Sequence, residues 1–432
     1  MGGFQPETVA APDLDLATSP ERVLPLLGGA GEVCLLVPDR DTSGPEVSIV
    51  IPALNEEQTI AEFVAWCRQG LEQAGVRGEV LIVDSSTDST AAKALEAGAR
   101  VLKTPRRGLG RAYIDAVPYI RGRFVLLGDA DLTYDFREIG PFLEEFRRGS
   151  EFILGSRLAG SIEAGAMPAL HRYFGTPLTT WILNRLYSSS FSDIHCGMRG
   201  ITRDALVAMD IQSESWEYAS EMVLKSVQME LRTAEVPVHF LRDREGRVSH
   251  HKRAGWLSPW IAGWINLRSM LVHGAESLAL RPGLFLLALG LLLTLPLSLG
   301  PVSIGRYVFS LYWMLVGVAL AFAGLQSFYL GCLSQLFHDY TGKARRRWLR
   351  VFGYNRSVLA STASVAAGIG CLIPLIREYL ADGFTLSGAI GLRNHLAILG
   401  LLLVMCGFTN FVFTLVLHAA SLSARKLRRP RG

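Results

Sequence analysis

Two aspartates separated by one residue, Asp129 and Asp131, follow the run Arg123–Leu127. Such a run reads as a buried strand, and side chains at i and i+2 beyond its end point the same way. Paired carboxylates there present hard oxygen ligands suited to Mg²⁺ or Mn²⁺, with positions left for the oxygens of a diphosphate. A cation so held offsets charge developing on a leaving nucleotide diphosphate. Alone, Asp-x-Asp is a weak signal, because a solvated turn produces it too. A third acid, Asp84, ends the apolar run Glu79–Val83, and Asn55 and Glu56 follow Val47–Ile51, which stops at Pro52. Acids gathered at several strand ends favour a site over a turn.

The elements that must position these residues alternate in type. Asn55 is placed to cap the next helix, with Gln58 as capping-box partner, and that helix extends to about Ala74. Ser85-Ser86-Thr87-Asp88 precedes a helix from Ser89 to Ala97, and Val101–Lys103 is extended. Arg106-Arg107-Gly108-Leu109-Gly110 is a basic glycine loop opening another helix. Strands alternating with helices predict an α/β domain with a mostly parallel sheet, whose ligands lie at the carboxyl ends of its strands. It spans 46–255, behind an irregular extension, 1–45.

Composition divides the chain. Of its 432 residues 50% are hydrophobic and only 19% charged, against roughly 25% charged in a soluble domain. Mean hydropathy is +0.28. The excess lies in Gly283–Leu299, Val308–Leu330, Val358–Ile376 and Leu396–Ala420, each near the ~20 residues that cross a bilayer. They define a four-helix membrane domain, 282–420. Basic residues set its orientation. Lys343, Arg345, Arg346, Arg347, Arg350 and Arg356 lie between the second and third runs, and Arg425, Lys426, Arg428, Arg429 and Arg431 in the tail, 421–432. The other two loops hold only Arg306, Arg377 and Arg393. The eleven belong inside, so an even number of spans places the catalytic domain in the cytoplasm, and the start of the chain shows no signal peptide. This predicts a multi-pass protein of the cell (inner) membrane. Trp256, Trp260 and Trp264 recur at helical spacing with Lys252, Arg253 and Arg268, predicting an interfacial amphipathic region over 256–281. The six scattered cysteines show no metal or redox spacing, and one His beside one Cys, His195-Cys196, reads as packing. A net charge of +4 gives no reason to expect nucleic acid.

Val47-Ser-Ile-Val-Ile-Pro-Ala-Leu-Asn-Glu-Glu57, Val83-Asp-Ser-Ser-Thr-Asp88 and Gly128-Asp-Ala-Asp131 resemble a family 2 glycosyltransferase with the GT-A fold. Pro105-Arg-Arg-Gly-Leu-Gly110, Asp193-Ile-His-Cys-Gly-Met-Arg199 and Glu217-Tyr-Ala-Ser-Glu-Met222 resemble its polyprenyl-phosphate (dolichol-phosphate-type) branch. The resemblance covers about residues 46–275. It implies that Pro52, Asn55 and Glu56 border the nucleotide, that Asp84 holds base or ribose, and that Asp129 and Asp131 bind metal and diphosphate. It places Arg157 and Arg199 at the acceptor phosphate and Asp193 where a base has been proposed. Two departures stand out: Asp84 is followed by Ser85-Ser86 instead of a second acid, and Gly246-Arg-Val-Ser249 by His250 instead of lysine.

The chemistry suits these residues. A lipid monophosphate, with its second ionisation near pH 6, is already a dianion at pH 7 and needs positioning more than a base. Arginines supply this through bidentate bonds, and Arg157, Arg199, Arg242 and Arg244 are available. Asp193 is then optional as a base, or a turn residue. The reading is inverting transfer of a hexose, glucose from UDP-glucose as the best match, to polyprenyl phosphate at the cytoplasmic membrane face. Inversion is implied by the resemblance. A homo-oligomer is compatible with it. Two alternatives stand beside it: a processive polysaccharide synthase, for which Gln228-Met-Glu-Leu-Arg232 has the wrong spacing and no Trp, and a nucleotide-sugar-binding membrane scaffold.

Overall fold

A computed structural model describes residues 33–187, 189–244, 264, 268, 271, 274–337, 339–385 and 391–427. Among these, eight strands form one sheet: β1 (Cys34–Leu36), β2 (Val47–Ala53), β3 (Gly78–Asp84), β4 (Arg100–Lys103), β5 (Phe124–Leu127), β6 (Phe152–Ile162), β7 (Arg199–Thr202) and β8 (Thr233–Phe240). Their spatial order is β1-β4-β3-β2-β5-β7-β6-β8. The β4-β3-β2-β5 core and the β6/β8 pair are parallel, while β1 and β7 run antiparallel to their neighbours. The strands β2, β3 and β5 are near-continuous apolar runs, as a sheet covered on both faces requires. The covering helices are α1 (Ile60–Gln73), α2 (Thr90–Glu96), α3 (Leu109–Ala116), α4 (Gly140–Arg147), α5 (Thr176–Tyr187), α6 (Arg203–Met209) and α7 (Tyr218–Gln228). In α1 the buried side is Ile60, Phe63, Val64, Cys67 and Leu71, spaced one helical turn apart.

Two local expectations are corrected. Residues 34–36 are not irregular: they pair with β4 as an edge strand. Asn55 does not cap α1, which starts after Thr59. It takes a left-handed conformation (φ 56°), and its Oδ1 accepts the Thr87 N–H at 3.2 Å. Its short amide tolerates that backbone and is used across the sheet instead of along the helix.

Four helices are long and apolar enough to cross a membrane among the described residues: α8 (Ala275–Leu297), α9 (Leu311–Phe337), α11 (Tyr354–Ala381) and α12 (Leu392–Leu427). The helices pack as pairs through small residues. A Cβ on Gly290 would lie 2.2 Å from Ala321 N, and one on Gly324 2.3 Å from Leu287 N, so backbones touch between α8 and α9. Gly368 and Gly400 join α11 to α12 in the same way. The basic loop after the second span contains a short helix, α10 (Lys343–Val351). Trp348 anchors it in an aromatic cluster with Phe328 and Phe352, while Lys343, Arg346, Arg347 and Arg350 stay exposed. Most of the interfacial region expected at 256–281, with Trp256 and Trp260, lies outside the described residues, as do Lys252, Arg253 and the 246–250 segment; Trp264, Arg268 and Leu271 are helical.

Candidate active site

The chain leaves β5 through Gly128 and sets Asp129 and Asp131, both half-buried, at the carboxyl end of the central strands. Asp131 Oδ1 accepts from Thr133 N at 3.0 Å and from Thr133 Oγ1 at 2.5 Å. This turn holds Leu132 at φ 62°, a conformation that costs roughly 1–2 kcal/mol for a residue with a Cβ. Thr59 Oγ1 bridges Ala130 O (3.1 Å) and Glu56 Oε2 (3.2 Å), bringing buried Glu56 beside the aspartate loop.

Three buried tyrosines brace this loop. Tyr113 donates to Gly128 O at 2.9 Å, and its ring lies 4.9 Å from that of Tyr218. Tyr134 Oη accepts the Gly197 N–H at 2.8 Å. Burial raises all three phenols, Tyr218 to about 12, and the nearby Asp129 charge raises them further. They stay protonated as fixed dipoles around Asp129. Gly197 lets the carboxylate sit close: a Cβ there would come within 2.4 Å of Asp129 Oδ2 and displace it.

On one flank of this loop, buried Asp84 bonds Lys103 Nζ at 2.6 Å and accepts the Ser86 N–H at 3.2 Å. Ser86 Oγ accepts from Asn55 N at 2.7 Å, and Thr90 Oγ1 from Glu56 N at 2.9 Å. Pro52, half-buried, pairs in register with Val83. The strands thus bring Pro52, Asn55, Glu56 and Asp84 together at the carboxyl ends of β2 and β3, next to β5, which leads to Asp129. Sequence reasoning missed Lys103. Only the parallel register, which sets Asp84 opposite Lys103, identifies it.

On the other flank, Arg157 and Asp193 form a bidentate clasp, Nε–Oδ2 2.7 Å and Nη2–Oδ1 2.8 Å, and the Arg157 N–H adds a third bond at 3.1 Å. Burial opposes both charges. For Asp193 the Arg157 bonds more than offset it and hold the carboxyl below its ordinary range; for Arg157, Tyr134, Asp193 and Cys196 raise the guanidinium above its own. Tyr134 stands between the flanks: its ring lies 5.1 Å from that of Phe240, over which Arg157 lies at 5.3 Å, and its hydroxyl holds Gly197 beside Asp129. His195 is half-buried and driven down to about 4 by desolvation, with its Nε2 2.8 Å from Thr179 Oγ1. The Cys196 thiol is pushed up to about 12 by burial. Both are neutral packing groups at pH 7.

Arg199 requires a correction. It is 1% exposed, and its guanidinium donates to the carbonyls of Cys196, Ala219 and Ile194 while lying over the Tyr218 ring. It offers no face to an incoming phosphate in this arrangement. Arg199 opens β7, and its side chain is turned inward there. Arg244, exposed, pairs with Glu62 of α1. Arg242 is exposed just beyond the Tyr134–Phe240 bridge, its N–H bonded to Glu163 at 2.6 Å. Asp193, with both oxygens held by Arg157, is not placed to take a proton.

The sequence description "Glycosyl transferase family 2" matches residues 48–209, and "Glycosyltransferase family 2 C-terminal transmembrane region" matches residues 332–421. The low-salt glycan biosynthesis hexosyltransferase Agl6 of Haloferax volcanii is 38% identical over 72% of this chain and 73% of its own length. A dolichyl-phosphate hexose transferase of the same organism is 29% identical over 49% of this chain and 89% of its length. A crystal structure of glucosyl-3-phosphoglycerate synthase from Mycobacterium tuberculosis overlaps 53% of this chain and 78% of that one, at 19% identity and a TM-score of 0.41. With aspartates at the ends of a mostly parallel GT-A sheet and a membrane domain behind it, this chain belongs to the family 2 glycosyltransferases.

Proposed function

We propose that this glycosyltransferase moves a hexose, glucose from UDP-glucose as the best match, to a polyprenyl phosphate at the cytoplasmic membrane face, with inversion. One observation carries the reading: Tyr134, whose hydroxyl holds Gly197 beside Asp129, and Arg157, clasped by Asp193, both lie against the Phe240 ring, in a domain bound to membrane-crossing helices. A carboxylate pair for the donor thus stands beside a cation for an anionic acceptor.

The donor set suits a divalent cation. Asp129 and Asp131 offer hard oxygens. No cluster of three or more His, Cys, Asp or Glu among the described residues could hold a metal. The remaining positions would fall to donor oxygens and water. Bound there, Mg²⁺ or Mn²⁺ supplies compensation for the leaving diphosphate. Asp84, with Lys103, Asn55 and Glu56, borders the nucleotide. Arg157 presents Nη1, which bonds no described residue, to the acceptor phosphate, while Asp193 fixes the guanidinium plane. The phosphate oxygen bonds to the anomeric carbon as the bond from that carbon to the diphosphate oxygen breaks. No proton need move, because the phosphate is already a dianion. Arg199, beneath the tyrosines, holds the site's floor, and Arg242 lies at its rim.

Cytoplasmic orientation is supported by the contact between the catalytic domain and the basic loop after the second span: Lys343 pairs with Glu230, and Tyr340 lies over Lys225. The arginine-rich loop and the active site therefore share one side of the membrane, the cytoplasmic one by the positive-inside rule.

The test is transfer by detergent-solubilised protein with Mn²⁺ or Mg²⁺, short-chain polyprenyl phosphate and a panel of labelled nucleotide sugars. The expected product is lipid-extractable, acid-labile and singly glycosylated. A long water-soluble polymer would replace the reading with a processive synthase. Donor binding without transfer to any acceptor would replace it with a scaffold.

A further inference from the structure

The short helix between the second and third spans concentrates charge that the site chemistry does not use. In α10, Lys343, Arg346, Arg347 and Arg350 follow one another at helical spacing, so one face carries four cations, all exposed. Like charges one turn apart repel. Among the described residues one carboxylate answers them: Glu230 pairs with Lys343, while Arg346, Arg347 and Arg350 form no ion pair. Exposed Arg356 adds to the cluster, donating to Arg350 O at 2.9 Å.

The opposite side of α10 fixes where this stripe points. Trp348 is buried, its ring 5.7 Å from Phe328 and 6.2 Å from Phe352, and its Nε1 donates to Gln335 Oε1 at 2.8 Å. Asp339 Oδ2 accepts the Arg345 N–H at 2.7 Å and holds the first turn. A helix pinned in this way cannot turn its arginines elsewhere, so their repulsion persists until an anion reaches them.

We infer that the stripe is a binding site for the headgroup of an anionic phospholipid, in the leaflet on the side of the catalytic domain. Position is the first argument. α10 joins α9 to α11, both long and apolar enough to cross a bilayer, so it lies where hydrocarbon gives way to headgroups. Charge is the second: guanidinium groups take a phosphate diester through paired N–H bonds, and each cation at an anionic surface adds to the attraction. Apolar surface beside the stripe is the third, and it selects a lipid over a free phosphate. Val351 follows Arg347 by one turn and is 57% exposed, and Phe337, which ends α9, is 72% exposed. The acyl chains of a bound phospholipid would cover both. Because Lys343 ties the same helix to Glu230, a headgroup on the three arginines steadies the loop against which the catalytic domain rests.

The experiment uses the full chain in phosphatidylcholine nanodiscs. Val351→Cys carries an environment-sensitive fluorophore, with Leu380→Cys, at the far end of α11, as control and the unsubstituted chain as labelling blank. Phosphatidylglycerol bearing a doxyl group near its headgroup should quench 351 at about a fifth of the mole fraction that doxyl phosphatidylcholine needs, the selectivity of roughly one cation at an anionic surface. The two lipids should quench 380 equally. Sodium chloride should narrow the gap at 351. Arg346→Gln/Arg347→Gln/Arg350→Gln, which keeps good helix formers, should close it and leave quenching at 380 unchanged. Equal quenching of 351 by both lipids with the arginines intact would overturn the site, and so would a preference that survives the triple substitution. Inorganic phosphate that abolishes the preference, where chloride of the same ionic strength does not, would give the stripe to a free anion and overturn the lipid. Protection of 351 from both lipids would overturn it in favour of a protein surface. None of these readouts uses sugar transfer, so the outcome is scored apart from the reaction proposed above.

Discussion

The ammonium of Lys225 in α7 lies 5.9 Å from the centroid of the Tyr340 ring, in the loop between the second and third spans. Lys225 is 4% exposed and also bonds Glu221 at 2.6 Å and the carbonyls of Met209 and Asp210. Glu221 in turn accepts the N–H groups of Gln212 and Ser213. That loop continues to Glu214, whose carbonyl seats Gly108 of the basic glycine loop so closely that a Cβ there would approach to 2.2 Å. At its other end α7 begins with Tyr218, whose ring lies 4.9 Å from that of Tyr113, the donor to Gly128 O beside Asp129. One helix thus connects the membrane domain to the donor side.

This geometry predicts a cross-link. Glu230→Cys paired with Lys343→Cys should join under a short bifunctional reagent in intact membranes. The pair should react only from the side on which the catalytic domain is protease-accessible. A cross-link absent on that side, with both cysteines labelled singly, would separate the loop from α7.

Asp131→Asn keeps the turn to Thr133 but removes a charge from the carboxylate pair. Transfer should fall roughly a hundredfold or more, because several kcal/mol of charge compensation are lost and each 1.36 kcal/mol is tenfold in rate. Chelation of the wild-type protein should abolish transfer, and added Mn²⁺ or Mg²⁺ restore it. The thermal unfolding midpoint of Asp131→Asn should stay near wild type, since the group is half-exposed.

Breaking the Arg157–Asp193 clasp leaves one buried charge alone. Asp193→Ala should destabilise the fold by about 3–5 kcal/mol at pH 7, read by denaturant unfolding of the solubilised protein. Arg157→Ala should do likewise, and the double variant should lose less than the sum. The pH sign follows from the lowered Asp193 pKa. Its stabilisation is complete above the ordinary carboxylate range, about pH 4, and fades as pH falls through the lower folded value. Asp193→Asn and wild type should therefore converge in strong acid. Arg157→Lys, which lacks the fork, should raise KM for lipid phosphate more than it lowers kcat.

His195 makes an acid-sensitivity prediction. Burial, with a smaller contribution from Arg157 and Arg199, holds its folded pKa near 4 against an ordinary 6.5. Between these values the unfolded chain takes up a proton that the folded one refuses. Stability should drop by about 3 kcal/mol as pH falls from 6.5 to 4. His195→Gln keeps a side-chain partner for Thr179 and should flatten that slope, measured as unfolding midpoint against pH.

Much of this architecture could be read in advance because it depends on short-range pattern. Val47–Ile51, Glu79–Val83 and Arg123–Leu127 announce strands by apolar content, and each ends on the polar residues that form the site. The four apolar runs announce spans by length alone. What escaped was long-range. Cys34–Leu36 forms a strand only because β4 lies beside it, and Asn55 gives up the cap because Thr87 stands across the sheet.

Residue type and periodicity by themselves determined an α/β catalytic domain, a membrane domain behind it, and acids at the strand ends. Those properties follow from local backbone geometry and the transfer of apolar surface out of water. The tertiary structure alone decided which charges are spent internally. Arg157 and Arg199 have the same chemistry, yet one leaves Nη1 with no bond to a described residue while the other is consumed by three carbonyls. Asp84 gains Lys103 through sheet register, and Asp129 gains its place against Gly197 through the packing of two distant segments. A side chain's direction and partners depend on elements far away in sequence, so a motif names the chemistry available and the fold selects which of it faces the ligand.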